Sequence, residues 1–112
     1  GGRTPIIPAD FVLVLTTFPA EGDADALART LVEERLAACV NVLPPMQSTY
    51  RWQGAVETAA ERQLLIKTKA ANVAALEKRL LELHPYDVPE FLVVHIDAAS
   101  PAYRSWLNDS LG

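Results

Sequence analysis

The stretch CVNVLPPMQSTYRWQGAVETAAERQLLIKTK, residues 39–69, decides the architecture of this chain. Its two ends are rich in strand formers. Val40, Val42 and Leu43 stand at the start, and Leu64, Leu65, Ile66 and Thr68 at the end. Gln53-Gly54 lies between them, and glycine tolerates the positive φ that a tight hairpin turn needs. The pattern predicts two long antiparallel strands, roughly Cys39–Trp52 and Ala55–Lys69. At about 3.3 Å per residue, a strand of about 13 residues spans about 43 Å. A compact domain of this size has a diameter of only about 35 Å. The hairpin is therefore expected to overhang its own domain, and an overhanging edge must be paired, bent or protected. Pro44-Pro45 breaks the first strand, because proline has no N–H to give to the ladder.

Working outward, residues 11–17 (Phe-Val-Leu-Val-Leu-Thr-Thr) read as a strand that is apolar on both faces, ended by Phe18-Pro19. Asp23 to about Arg35 reads as a helix with Asp23 as cap or first-turn acid. Ala24, Leu27, Ala28, Leu31 and Val32 form its apolar stripe. Asn72 to His84 reads as a second helix, with Val73, Leu76, Leu80 and Leu83 as the stripe and Pro85 as the stop. Residues 91–96 (Phe-Leu-Val-Val-His-Ile) form another strand, apolar on both faces. Ser100-Pro101 opens a short last helix running to Leu111. The order β-α-β-β-α-β is the split-βαβ arrangement, an α+β, ferredoxin-like sandwich with a long β2–β3 hairpin and a short C-terminal helix. Two helices cover one face of such a sheet. The doubly apolar strands then require that something else bury the other face, most simply further copies of the chain.

Composition bounds the function. The chain has 112 residues, 50% hydrophobic and 21% charged, which suits one domain over residues 1–112 with a loose N-terminal arm at 1–9. The net charge is −4 and no basic run occurs, which argues against a nucleic-acid partner. Apolar runs are far too short for a membrane span. The single cysteine, Cys39, cannot form an internal disulfide, which fits a reducing cytoplasm.

Five segments occur in fixed order: Leu36-Ala37-Ala38-Cys39-Val40-Asn41, Ser48-Thr49-Tyr50-Arg51-Trp52-Gln53-Gly54, Ile66-Lys67-Thr68, His84-Pro85-Tyr86-Asp87-Val88-Pro89-Glu90, and Tyr103-Arg104-Ser105-Trp106-Leu107. As a set they resemble the CutA-type divalent-cation tolerance family, from about Phe11 to Leu111. The resemblance implies a ferredoxin-like subunit in a homotrimer, with the hairpins forming intersubunit sheets. It also implies kinship in shape with trimeric PII signalling proteins and a link to tolerance of copper and other divalent cations. Some members assigned a copper site place a cysteine on the first strand and two adjacent histidines before the Pro-Tyr. Here Thr16 and Leu83 occupy two of those positions, and only His84 remains.

The candidate site residues each read two ways. Cys39 is a soft metal ligand as thiolate, or a small buried hydrophobe. His84 is a metal ligand, or a helix C-terminal residue favoured by the helix dipole. Glu90 is a hard oxygen ligand or a hydrogen-bond acceptor, or else a carboxylate paired with Lys67 or Arg104. Trp52, Tyr86, Tyr103 and Trp106 line a small-molecule pocket at the subunit boundary, or pack in the interface; Lys67 meets an anionic ligand in that pocket, or belongs to a solvated face. Glu57 and Glu61 read as solvated or as intersubunit partners, and His95 as a satisfied interior histidine. No nucleotide-binding or hydrolase motif is present, so the expectation is a binding or structural protein, not an enzyme. It should require no cofactor, with copper or another divalent cation bound weakly at most. The alternative is a PII-like sensor holding a small anionic metabolite between subunits.

Overall fold

The computed structural model describes residues 10–112; the expected arm at 1–9 lies outside the described residues. The elements are β1 (Phe11–Pro19), α1 (Ala24–Glu33), β2 (Cys39–Val42), β3 (Met46–Trp52), β4 (Ala55–Lys69), α2 (Val73–Leu83), β5 (Leu92–His95) and α3 (Pro101–Leu111). The strands form one antiparallel sheet in the order β2-β4-β1-β5, and β3 also pairs with β4. This is the expected ferredoxin-like α+β arrangement.

The anticipated first hairpin strand is two strands, β2 and β3, divided at residues 43–45 where the prolines withhold their donors. The hairpin turn closes between Trp52 and Ala55, with φ of 50° at Gln53 and 81° at Gly54. Positive φ at both central residues is the primed turn whose twist matches a hairpin. β1 pairs with β4 from Glu61 to Lys69, so among the described residues the tip of β4 has β3 alone as a strand neighbour. The hairpin thus projects beyond the body. The Cα radius of gyration is 15.0 Å, against about 13 Å for a compact chain of this length.

Alternation along the strands sorts the two faces. Val12, Val14 and Phe18 of β1 and Leu64 and Ile66 of β4 join Ala24, Leu27 and Leu31 of α1 and Leu76 and Leu80 of α2 in the main core. Arg79 of α2 clamps Glu34, just past α1, through Nε–Oε1 and Nη2–Oε2 contacts of 2.9 Å each. The opposite face is not left wholly to other copies. α3 covers one end of it, where Leu107 and Leu111 pack with Phe11, Ala38 and Ile96 in a second cluster. The rest stays open: Leu92, Val94, Tyr103 and Trp106 are all exposed.

Local signals account for the helix ends. The Asp23 carboxylate accepts the Ala26 N–H at 3.0 Å, and the Ser100 hydroxyl accepts the Tyr103 N–H at 3.3 Å. Asp23→Ala should therefore lower stability by about 1 kcal/mol, the usual worth of such a cap, as read by urea denaturation. Asn72 does not cap α2; its amide instead donates to the Thr68 hydroxyl at 3.2 Å, and a 3-10 turn (Ala70–Asn72) leads into the helix. Leu83, placed in the α2 stripe by spacing, is exposed, because the helix ends there and His84 takes the inward position.

Candidate functional site

The densest polar cluster lies where β1 ends, beside the root of the hairpin. α2 stops at Leu83 because the residue before Pro85 avoids helical ψ; His84 is extended, with ψ of 137°. That geometry turns the imidazole inward, and His84 is buried. Its Nε2 lies 2.6 Å from the Thr17 carbonyl oxygen, and its Nδ1 accepts the Tyr86 backbone N–H at 3.1 Å. The ring packs against Phe18 and Tyr86, with centroid separations of 5.1 and 4.8 Å.

Tyr86 extends the chain of contacts toward the hairpin. Its hydroxyl donates to Glu61 Oε2 at 2.8 Å. Glu61, read as solvated or as an intersubunit partner, is buried within its own chain, where its carboxylate accepts the Tyr86 hydroxyl. Burial of the phenol, then the Glu61 carboxylate, push the Tyr86 hydroxyl up to about 12 from 10.0. A raised pKa means that the fold favours the neutral phenol. Its contribution to stability is full below about pH 10 and is lost as pH rises through about 12. A spectrophotometric titration of the folded protein should show a phenol ionising near pH 12 that Tyr86→Phe removes.

Glu90 pairs with neither Lys67 nor Arg104. The Gln63 amide donates to Glu90 Oε2 at 3.0 Å and to the Thr16 carbonyl at 2.8 Å. Lys67 instead lies 3.4 Å from the Tyr103 hydroxyl, and the Arg104 guanidinium sits over the Phe11 ring at 5.4 Å. His95 is not the satisfied histidine expected: among the described residues its buried Nδ1 has no hydrogen-bond partner, and Nε2 faces Asp97 at 3.6 Å.

The three tentative metal ligands are not brought together within the chain. Cys39 pairs with Lys67, which stands opposite Leu13, whereas His84 bonds at Thr17. Four residues of strand separate those rows, about 13 Å. Among the described residues no group of three or more His, Cys, Asp or Glu side chains is placed to hold a metal ion. The five pocket candidates also divide. Lys67, Tyr103 and Trp106 cluster, with the two rings 5.4 Å apart. Tyr86 belongs to the Glu61 end of the sheet, and Trp52 sits at the hairpin tip opposite Ala55.

Glu61 and Gln63 are the site residues that the sequence reading missed. The available signal was the period of two: both alternate with Leu64 and Ile66 and so lie on the face shared with Leu65 and Lys67.

Comparison with known proteins accords with this architecture. Residues 12–110 match the family described as CutA1 divalent ion tolerance protein. The Divalent-cation tolerance protein CutA of Pectobacterium atrosepticum is 44% identical over 102 residues, covering 91% of this chain and 93% of that protein. Its namesake in Thermus thermophilus is 45% identical over 100 residues, covering 89% and 97%. The crystal structure of CutA from Xylella fastidiosa superposes with a TM-score of 0.87 at 48% identity, covering 92% of this chain and 99% of that one. None of these names is that of an enzyme.

Proposed function

The chain belongs to the CutA1 divalent ion tolerance protein family, and on that premise we propose that it acts as a cytoplasmic homotrimer with a binding or structural role in cation tolerance, not a catalytic one. The observation that carries this reading is the projecting hairpin together with the apolar sheet face beside α3. Leu92 and Val94 are 52% and 45% exposed in the isolated chain, and Trp106 is 45% exposed. Contiguous apolar surface of this kind marks an interface. In this reading the hairpin is the arm that reaches a neighbour, and the family resemblance is the ground for three copies. No described helix is long and apolar enough to cross a membrane. Light scattering on the full chain at micromolar concentration should give the mass of three copies; a stable monomer would refute the reading.

The Lys67–Tyr103–Trp106 cluster favours a second reading, a PII-like sensor of a small anionic metabolite. The ammonium sits 5.8 Å from the Tyr103 ring centroid, and exposed rings beside a cation suit an aromatic anion. Saturable heat on titration with nucleotides, lost in Lys67→Ala, would support it; no heat with any nucleotide or carboxylate would dismiss it. In both readings copper or another divalent cation is held weakly and is not needed for folding.

A further inference from the structure

A soft-cation site of the kind assigned to some relatives would have to be built on His84, because Thr16 and Leu83 occupy the other two positions. The question is whether this imidazole has a lone pair to give. A coordinating histidine presents one bare nitrogen to the metal and uses the other to hold its orientation. Here the partners of both nitrogens are of fixed kind. The Thr17 carbonyl 2.6 Å from Nε2 can only accept, so Nε2 carries the proton. The Tyr86 backbone N–H 3.1 Å from Nδ1 can only donate, so the Nδ1 lone pair is already engaged. Together they select one neutral tautomer and leave it no vacant direction. The ring is 8% exposed and lies between Phe18 and Tyr86, so it has no room to swing toward a metal without unpacking both.

The surrounding donors fit no better. Thr16 is fully buried on the helix-covered face, and a neutral hydroxyl is a poor ligand for copper or zinc. Leu83 offers no donor atom. Glu90 is engaged by Gln63. Cys39 stands four residues of strand away, beside Lys67.

We infer that His84 is a structural pin and not a ligand, and that this chain holds neither copper nor zinc at the His84 position. The imidazole ties the last turn of α2 to the end of β1 and fixes Tyr86, whose hydroxyl then holds Glu61 at the root of the hairpin. Any divalent cation that this chain binds is then held by other donors. The inference concerns only the cation half of the reading above; a failure of the trimer would leave it standing.

The test uses the full chain with nitrogen-15 in its two histidines. Two-bond proton–nitrogen correlation should show His84 with Nε2 protonated and Nδ1 bare, unmoved by several equivalents of zinc. Competition of the reduced protein with a copper chelator should give micromolar or weaker affinity, the same in His84→Asn as in the wild type. Displacement of either His84 nitrogen resonance by zinc would overturn the inference. So would nanomolar copper affinity abolished by His84→Asn. If that variant fails to fold, the wild-type spectrum alone decides. Binding that requires Cys39 while the His84 resonances stay in place would uphold the inference.

Discussion

Replacing Leu92 and Val94 together by aspartate is expected to convert the proposed trimer into folded monomers. Both residues lie on the open face of β5, which among the described strands is an edge paired with β1 alone. Their exposure in the single chain means that the subunit does not need them for its own core. In an assembly that covers this face, two carboxylates would be taken from water into an apolar seam, at a penalty of several kcal/mol for each that is left unpaired. Loss of the apolar anchors adds to this, since truncation of a central interface residue commonly costs about 2 kcal/mol or more. As each 1.4 kcal/mol is about tenfold in affinity, the association constant should fall by at least about a thousandfold. Light scattering should then report a single chain at micromolar concentration, while far-ultraviolet circular dichroism stays native. An unchanged mass would show that this face is not the interface, and loss of the native spectrum would show that it belongs to the subunit core.

The parts of the fold that local chemistry dictates were legible in the sequence. The proline break at residues 43–45, the glycine turn and the Asp23 and Ser100 caps all follow from backbone donors and permitted φ, which each residue carries with it. The two-faced apolarity of β1 was legible too, but its explanation was incomplete. Periodicity shows that a face is buried without showing by what, and α3 covers part of the face for which a further copy of the chain was the simplest cover. The polar cluster was the least legible. Whether His84 ligates a metal or pins a strand depends on what lies opposite each nitrogen, and both partners are backbone groups, which every residue carries and no motif records. Glu61 looks like a solvent residue by composition. Its burial comes from Tyr86, 25 positions away, folding across it. His95 sits in an apolar strand and so reads as satisfied, yet among the described residues its buried Nδ1 finds no partner.

The second large effect sits in α2, where two adjacent leucines should behave oppositely. Leu80 is fully buried and Leu81 is 50% exposed. The pair shares one residue type and one helix, so substitution by alanine changes helix propensity equally at both. What differs is the cavity. Leu80 packs in the main core with Leu76, Leu31 and the inward residues of β1 and β4. Removing its branched end leaves a hole between helix and sheet that neither can close alone, and Leu80→Ala should cost about 2–5 kcal/mol. Against the about 5–15 kcal/mol of a typical domain, that is enough to threaten the isolated subunit. Leu81→Ala should change stability by no more than about 0.5 kcal/mol, as at most surface positions. Denaturant midpoints of the two variants at equal protein concentration check this directly. Equal small changes would mean that α2 is not docked as described. A large loss at Leu81 would mean that a partner covers the outer side of α2, and that the assembly buries more than the sheet face.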